Sequence, residues 1–548
     1  MILIDHSLIL MVISPITAAL IIKLLSRFQH PDELRYVITF LGLFIPMVLL
    51  FFTPDVRLVY ELGGWRRPYG ISLVLDGLSR VMVLITGIIT LTTYVYYIDF
   101  LDQDPQADDY HFLYLFMTAG LYGVFLTGDL INRFIFFEMM ILTTYVLLTF
   151  VGTKRSLRAS FQYFVIGTIA SLMFLTGIGL TYFYTGYFDM SALSTEIPHL
   201  STHTKNIIFV FFLVAVGVKL GLMPFHTWLP DAHVEAPTPM TAILAALTVK
   251  TGGYILIKLL EIGFYTPLIS NIILIASVFT AVFGALISMK YTNMKRILAW
   301  LTISHVGMIG IMFSLWTPES LGAGILYFLN HSFFKALLFL VMGAFAFLYG
   351  TSDIRKLPLL KSNVILSTTF LIGSLAMIGV PPMNGFYSKW AVLSSIENIT
   401  LYIVVLSTFV LISASIIRIF LLSSKKDLEI KNELTEGMMA PLVVLAGLTL
   451  FGGMTTSLFV ANVVDPASEA VLGETSGLLT SNVELSAIVS FEAVLIFCSL
   501  LGGYLFIKKV KGIPSGWIKS LFSQVNINDS VRYIIFMMAI LLVMNFVF

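Results

Sequence analysis

Residues 206–230 read NIIFVFFLVAVGVKLGLMPFHTWLP, an apolar run that could cross a bilayer, with a lysine set in its second half. About 20 apolar residues are enough to span the hydrocarbon core as a helix. Lys219 stands between Gly217 and Gly221, and Pro224 follows. Proline removes a backbone donor and clashes with the preceding turn, so a break is expected here. Opened backbone at membrane depth is tolerated only where it is buried in protein or lines a cavity. A charged side chain at bilayer depth costs about 2.5–3.5 kcal/mol on the insertion scale. One such residue can be an accident near a membrane surface, but Glu138, Lys219, Lys250, Lys335 and Lys389 all lie in apolar segments, and five spread over the chain point to a helical membrane protein that moves ions or protons.

The pattern recurs at 371–390, LIGSLAMIGVPPMNGFYSKW, where Gly379, Pro381, Pro382 and Gly385 precede Lys389. Five spans separate the two breaks, and an odd number of spans per unit inverts the second copy relative to the first. Interrupted helices at corresponding places point to a transporter built on an inverted repeat. The expected organisation is N-terminal helices over 1–110, a first five-helix unit over 111–262 and a second over 266–423. Further helices over 424–548 are a possible docking extension for a neighbouring subunit. The alternative is two unrelated proline kinks.

Composition agrees with an all-α polytopic membrane protein. The 548 residues are 58% hydrophobic and 11% charged, against about 25% charged in soluble domains. Apolar stretches of span length recur throughout, and the reading is of about sixteen transmembrane helices, the first near residue 8, the third near 71 and the last near 531. Barrel strands are excluded, being about ten residues of alternating polarity. Loops after odd-numbered spans carry about twenty Lys and Arg, and loops after even-numbered spans about five (Arg57, Arg66, Arg67, Arg133 and Lys205). The positive-inside rule then places the odd loops in the cytoplasm and both termini outside. The acidic loop DFLDQDPQADD, assigned inside, is the exception. The N-terminus lacks the positive flank of a cleaved signal and reads as a retained span. Residues 510–530 read equally as an interfacial helix or as a connecting loop. A net charge of +1 gives no hint of nucleic-acid binding, and the single Cys498 leaves no cysteine-ligated cluster in this chain.

The buried ionisable residues are the candidate site. Glu138 in FIFFEMM and Lys219 form the sharpest couple. Opposite partners keep each other charged in apolar surroundings, and a change in their separation releases a proton; the competing reading is a static ion pair. Lys250 lies mid-span among small residues (AILAALTVKTGG), while Lys258 in the same span reads as a snorkelling end residue. His331 and Lys335 are spaced i, i+4 and share a helical face, so a proton can pass between them directly or through water. His305 is either a relay or simply bonded to a backbone carbonyl. Lys389 is either the last site on the line or an anchor at the outer surface. Asp76 and Arg80, also i, i+4, read first as an intrahelical pair and second as tuning groups for Glu138. His226, Asp231 and His233 match no trusted zinc spacing. No phosphate-binding, dinucleotide, haem or cluster motif is present, so redox or nucleotide chemistry would come from partners.

The segments KLGLMPFHTWLPDAHVEAPTPMTAILAALTVKTGGY (219–254), FIFFEMM (134–140), KRILAWLTISHVGMIG (295–310), NHSFFKALLFL (330–340) and GVPPMNGFYSKW (379–390) closely resemble the antiporter-like subunits of complex I, Mrp-type sodium/proton antiporters and membrane-bound hydrogenase and sulfur-reducing complexes. The likeness runs over roughly residues 70–420. It implies a core of about fourteen helices, two inverted five-helix units, and a hydrated midplane axis. On that axis Glu138 pairs with Lys219, Lys250 is central, His331 and Lys335 follow, and Lys389 is terminal. It also implies other membrane subunits as partners, protons and possibly sodium as cargo, and iron–sulfur or nickel–iron centres only in a peripheral redox arm. A proton-pumping subunit of a quinone-reducing NADH dehydrogenase and a free-standing solute transporter are the alternatives. The spans after about residue 480 depart from the common pattern.

Overall fold

The structure is a computed structural model that describes residues 6–28, 31–101, 106–424, 428–478 and 490–510. The expected span near 531 and, beyond its first residue, the 510–530 segment lie outside these residues. The main helices are α1 (Ser7–Leu25), α2 (Asp32–Phe52), α3 (Gly77–Leu101), α4 (Ala107–Leu126), α5 (Leu130–Thr149), α6 (Lys154–Thr185) and α7 (Thr202–Leu220). After these come α8 (Thr238–Phe264), α9 (Pro267–Ser288), α10 (Met294–Leu315), α11 (Pro318–Tyr349), α12 (Val364–Ile378), α13 (Ile399–Leu422), α14 (Glu436–Met454) and α15 (Phe491–Val510). Twelve helices among the described residues are long and apolar enough to cross a membrane.

Local sequence sets the helix ends. Asp129, Thr153, Thr266, Asn293 and Asn398 each accept a backbone N–H at the start of α5, α6, α9, α10 and α13. Such caps contribute about 0.5–2 kcal/mol each by satisfying donors that the first turn leaves free. Inside the spans, Thr86, Thr90 and Thr93 return their hydroxyls to carbonyls four residues back, which hides them from lipid. Burial then sorts the helices. The apolar windows of α8 and α10 are wholly buried, against 39% for α1, α2 and α9. Helices shielded on every side can carry charge, and the outer ones present Leu, Phe and Ile outward.

The third span differs from its expected start near 71. Residues 72–75 form a strand, β2 (Ser72–Leu75), paired antiparallel with β1 (Leu58–Glu61), and α3 begins only at Gly77. Its first turn is closed by Asp76, which accepts from Ser79 N at 2.8 Å while Ser79 Oγ accepts from Asp76 N at 2.7 Å. This is a reciprocal capping box.

Loops of like parity gather at the same face. The isolated bridges Leu73↔Thr127 and Asp129↔Asp189 join three even-numbered loops, and Asn293↔Asp353 joins two odd-numbered ones. The acidic odd loop also has an explanation: Asp109 pairs with Lys23, and Asp108 with Arg35 at 3.3 Å. These two carboxylates are the counter-charges of the neighbouring basic loop, so they do not conflict with the face they occupy.

Candidate functional site

Both expected helix breaks are present and share a construction. Helix α7 ends at Gly221 and α12 at Gly379, each in the left-handed region (φ 74° and 89°) that glycine adopts without a Cβ clash. The chain resumes as a short helix, Leu229–Glu235 after the first break and Asn384–Ser394 after the second. Backbone amides past each glycine bond carbonyls of the last turn, Leu222 N to Gly217 O and Val380 N to Leu375 O, and side chains add to them. Trp228 Nε1 donates to Val218 O at 2.8 Å, and Lys389 Nζ donates to Ile378 O at 2.6 Å. Lys389 thus caps the last turn of α12, where the helix dipole is negative, with Phe409 beneath the ammonium at 4.6 Å.

Lys219, Lys250, His331, Lys335 and Lys389 are at most 3% exposed. The structure brings Lys250 and His331 together, with Nζ 2.5 Å from Nδ1. Lys250 also donates to Ala245 O at 2.6 Å. That carbonyl belongs to a π-helical turn over Leu244–Thr248, where the wider spacing loosens the regular hydrogen-bond ladder. His331 therefore reaches across to α8, while Lys335, on the same face of α11, donates to Leu298 O of α10 at 3.1 Å. His305 lies against His331 (ring centroids 5.1 Å apart), with Nδ1 2.5 Å from Leu301 O.

Glu138 and Lys219 are not hydrogen-bonded to each other. Lys219 Nζ donates to Tyr163 OH at 2.8 Å and sits 5.5 Å from the Phe137 ring centroid. Glu138 is half-buried, and its Oε1 atom is buried with no hydrogen-bond partner among the described residues. A cavity of ≈ 10 Å³ lies beside Lys219, walled by Phe137, Tyr163 and Trp228. That is close to the least space that holds one water. Tyr163 was missed from sequence. Its signal was weak, a tyrosine beside Gln162 inside the otherwise apolar α6. The α7–α8 approach depends on Gly252: a Cβ there would lie 2.8 Å from Leu220 N and 3.2 Å from Lys219 Cβ.

Two pairings differ from the sequence reading. Asp76 and Arg80 form no intrahelical pair. Arg80 donates to Thr53 Oγ1 at 3.0 Å and Pro54 O at 2.5 Å, with Asp55 3.5 Å away. Asp76 instead binds Lys258 at 2.7 Å. Lys258 therefore does not snorkel; it is 5% exposed and held as well by Glu261 at 2.8 Å. The physical reason is that the strand before α3 turns Asp76 toward the end of α8, leaving Arg80 to the preceding loop. In the break segment, His233 Nδ1 bonds Leu229 O at 2.9 Å and Asp231 pairs with Arg296 at 2.7 Å, tying that segment to α10.

The family model described as NADH:quinone oxidoreductase/Mrp antiporter, TM, matches residues 127–416, the stretch that holds both breaks and every buried lysine of the line. A D-type Na(+)/H(+) antiporter subunit of Alkalihalophilus pseudofirmus is 32% identical over 490 residues, 85% of this chain and 99% of its own length. The chain belongs to the NADH:quinone oxidoreductase/Mrp antiporter family. Another relative in this family, an N-type NADH-quinone oxidoreductase subunit of Desulforudis audaxviator, is 31% identical over 70% of this chain and 79% of its own. Among solved structures, a chain of the membrane-bound sulfane sulfur reductase, an archaeal respiratory membrane complex, shares the fold. Its TM-score is 0.78 at 24% identity, covering 85% of this chain and 97% of that one.

Proposed function

We propose that the chain is the proton-translocating membrane subunit of a multisubunit ion-pumping complex of the Mrp cation/proton antiporter or sulfur-reducing respiratory type. The observation that carries this reading is the line itself. Four lysines and a histidine, all buried, cross from one helix break to the other without a carboxylate bonded to any of them among the described residues. Burying an ionisable group this deeply is costly, and a structural role would call for neutralising partners. Amines and imidazoles held by a tyrosine, a histidine and backbone carbonyls can take up and give away protons.

In this proposal Glu138 sets the charge of Lys219, Lys250 and His331 form the central exchange point, and Lys335 and Lys389 complete the path, with His305 as a side relay. Residues 111–262 and 266–423 act as the two inverted units, and the matching breaks support that division. The protein lies in the cytoplasmic membrane with its odd loops inside and its termini outside, as the loop charges favour. Sodium is the expected counter-ion if the partners are those of an Mrp assembly. A second reading, a proton-pumping subunit of a quinone-reducing NADH dehydrogenase, is favoured by the likeness to the NADH-quinone oxidoreductase relative. Purification of the tagged chain in mild detergent, with partners identified by mass spectrometry, separates an antiporter from a redox assembly, and the identity of the redox partners then separates a sulfur-reducing complex from a quinone-reducing one. Small membrane subunits alone indicate the antiporter; iron–sulfur or nickel-bearing partners indicate the arm of a redox enzyme. Recovery of the chain without partners would overturn both.

A further inference from the structure

A second cluster of buried charge lies beyond the line, toward the face poor in Lys and Arg. Lys250, Tyr254 and Lys258 are spaced i, i+4, i+8, so they share one face of α8. Tyr254 therefore stands between the two lysines. Its hydroxyl donates to Phe125 O at 2.6 Å, and Lys258 Nζ lies 5.9 Å from its ring centroid. Lys258 is clasped by Asp76 and Glu261. Glu261 sits in a π-helical turn, Leu260–Phe264, that ends α8.

A cavity of ≈ 120 Å³ opens beside this triad, room for several waters. Asp76, Lys258, Glu261 and Arg133 line it, and Arg57 and Ser194, both exposed, carry it to the surface. Arg133 is 2% exposed, and its Nε has no partner among the described residues, although Nη2 donates to Thr127 O at 2.6 Å. Asp129, four residues before Arg133, caps the start of the same helix. Arg67, on another wall, is neutralised by Asp189 at 2.9 Å. The cavity is bounded by even-numbered loops, those joined by the bridges described above.

We propose that this cavity is the port through which the first unit exchanges protons with the outer side, with Glu261 as the terminal proton carrier and Tyr254 as the gate toward Lys250. The proposal rests on the proton-translocation reading. A pair tying α3 to α8 would need one carboxylate. The second carboxylate, facing a cavity with room for water, is what transfer requires. In the outward step the Lys258 ammonium gives a proton to the Glu261 carboxylate, and the resulting acid releases it to cavity water. The neutral Lys258 amine then takes a proton that leaves the Lys250 ammonium, carried by water admitted when the Tyr254 ring swings aside. Asp76 stays ionised and holds Lys258 in place, with Arg133 on the same cavity wall.

The test uses the assembled complex reconstituted in vesicles of known orientation. Glu261→Gln keeps the Asp76–Lys258 pair. It is expected to slow proton movement at least tenfold and to flatten its dependence on external pH while leaving the dependence on internal pH intact; Glu261→Asp should restore both. Ser194→Cys, in a Cys498→Ser background, should be labelled by a membrane-impermeant cationic thiol reagent from outside only, with slowed transport. Parental rate and external pH dependence in Glu261→Gln would overturn the port, as would labelling of Ser194→Cys only from inside. A parent complex that moves no protons would overturn the underlying reading, and the port with it.

Discussion

Substitution at Lys250 tests the line at its centre, and two replacements separate charge from proton transfer. Lys250→Met keeps the side-chain length and removes the ammonium. It forfeits the contacts to Ala245 O at 2.6 Å and His331 Nδ1 at 2.5 Å. Charged hydrogen bonds contribute about 1.5–3 kcal/mol each. Against that loss, the variant no longer carries an ammonium at membrane depth, worth about 2.5–3.5 kcal/mol. The difference, a loss of about 0–3 kcal/mol, leaves assembly intact, while proton movement should stop. Lys250→Arg keeps the charge, but arginine's unperturbed pKa lies about 2–3 units above lysine's. In the same site, giving up a proton then costs about 3–4 kcal/mol more, so transport should fall about 100- to 1000-fold. Proton uptake by inverted membrane vesicles, followed with a pH-sensitive dye and normalised to assembled complex on native gels, measures both. An arginine variant running within threefold of the parent would defeat this account, because position 250 would then need only a positive charge.

Glu138→Gln should also assemble and lose nearly all coupled transport, since Lys219 would lose its nearest negative partner; full coupling would demote the glutamate to structure. Gly379→Ala forces a Cβ into a backbone with φ 89° and to within 2.8 Å of Lys389 Cδ. It should displace that ammonium from Ile378 O and slow transport at least tenfold, and an unchanged rate would argue against Lys389 as a site. Asp76→Asn keeps the helix cap and leaves Lys258 with Glu261 alone, so a loss of about 1–3 kcal/mol is expected as a lower melting temperature of the purified complex. An unchanged melting temperature would count against that ion pair. An epitope inserted within residues 150–158 should be protected from external protease; exposure on the outer side would reverse the assigned orientation.

Much of the site was legible because a membrane makes charge conspicuous. A lysine inside an apolar run has few inexpensive explanations, so Lys219, Lys250, Lys335 and Lys389 stood out individually, and glycine and proline marked the two breaks by backbone chemistry alone. Asp76 carries two signals, and the i, i+4 spacing to Arg80 hides the one that holds: Asp-Gly-Leu-Ser is a capping box. The spacing of Lys250, Tyr254 and Lys258 was equally visible, yet position near a span end suggested snorkelling for Lys258.

Local composition settles the helical membrane class, the places where two helices break, and which ionisable residues lie within apolar runs. It does so through the length of an apolar run, the missing N–H of proline, and the cost of an ammonium in hydrocarbon. Packing settles who meets whom. Lys219 bonds Tyr163 of α6, His331 crosses to Lys250, Lys389 closes the open end of α12, and Lys258 is held by Asp76, the cap of a helix far earlier in the chain. Such partners are set by how helices cross and which faces small residues such as Gly252 let approach. Side chains distant in sequence become neighbours only once the bundle is packed.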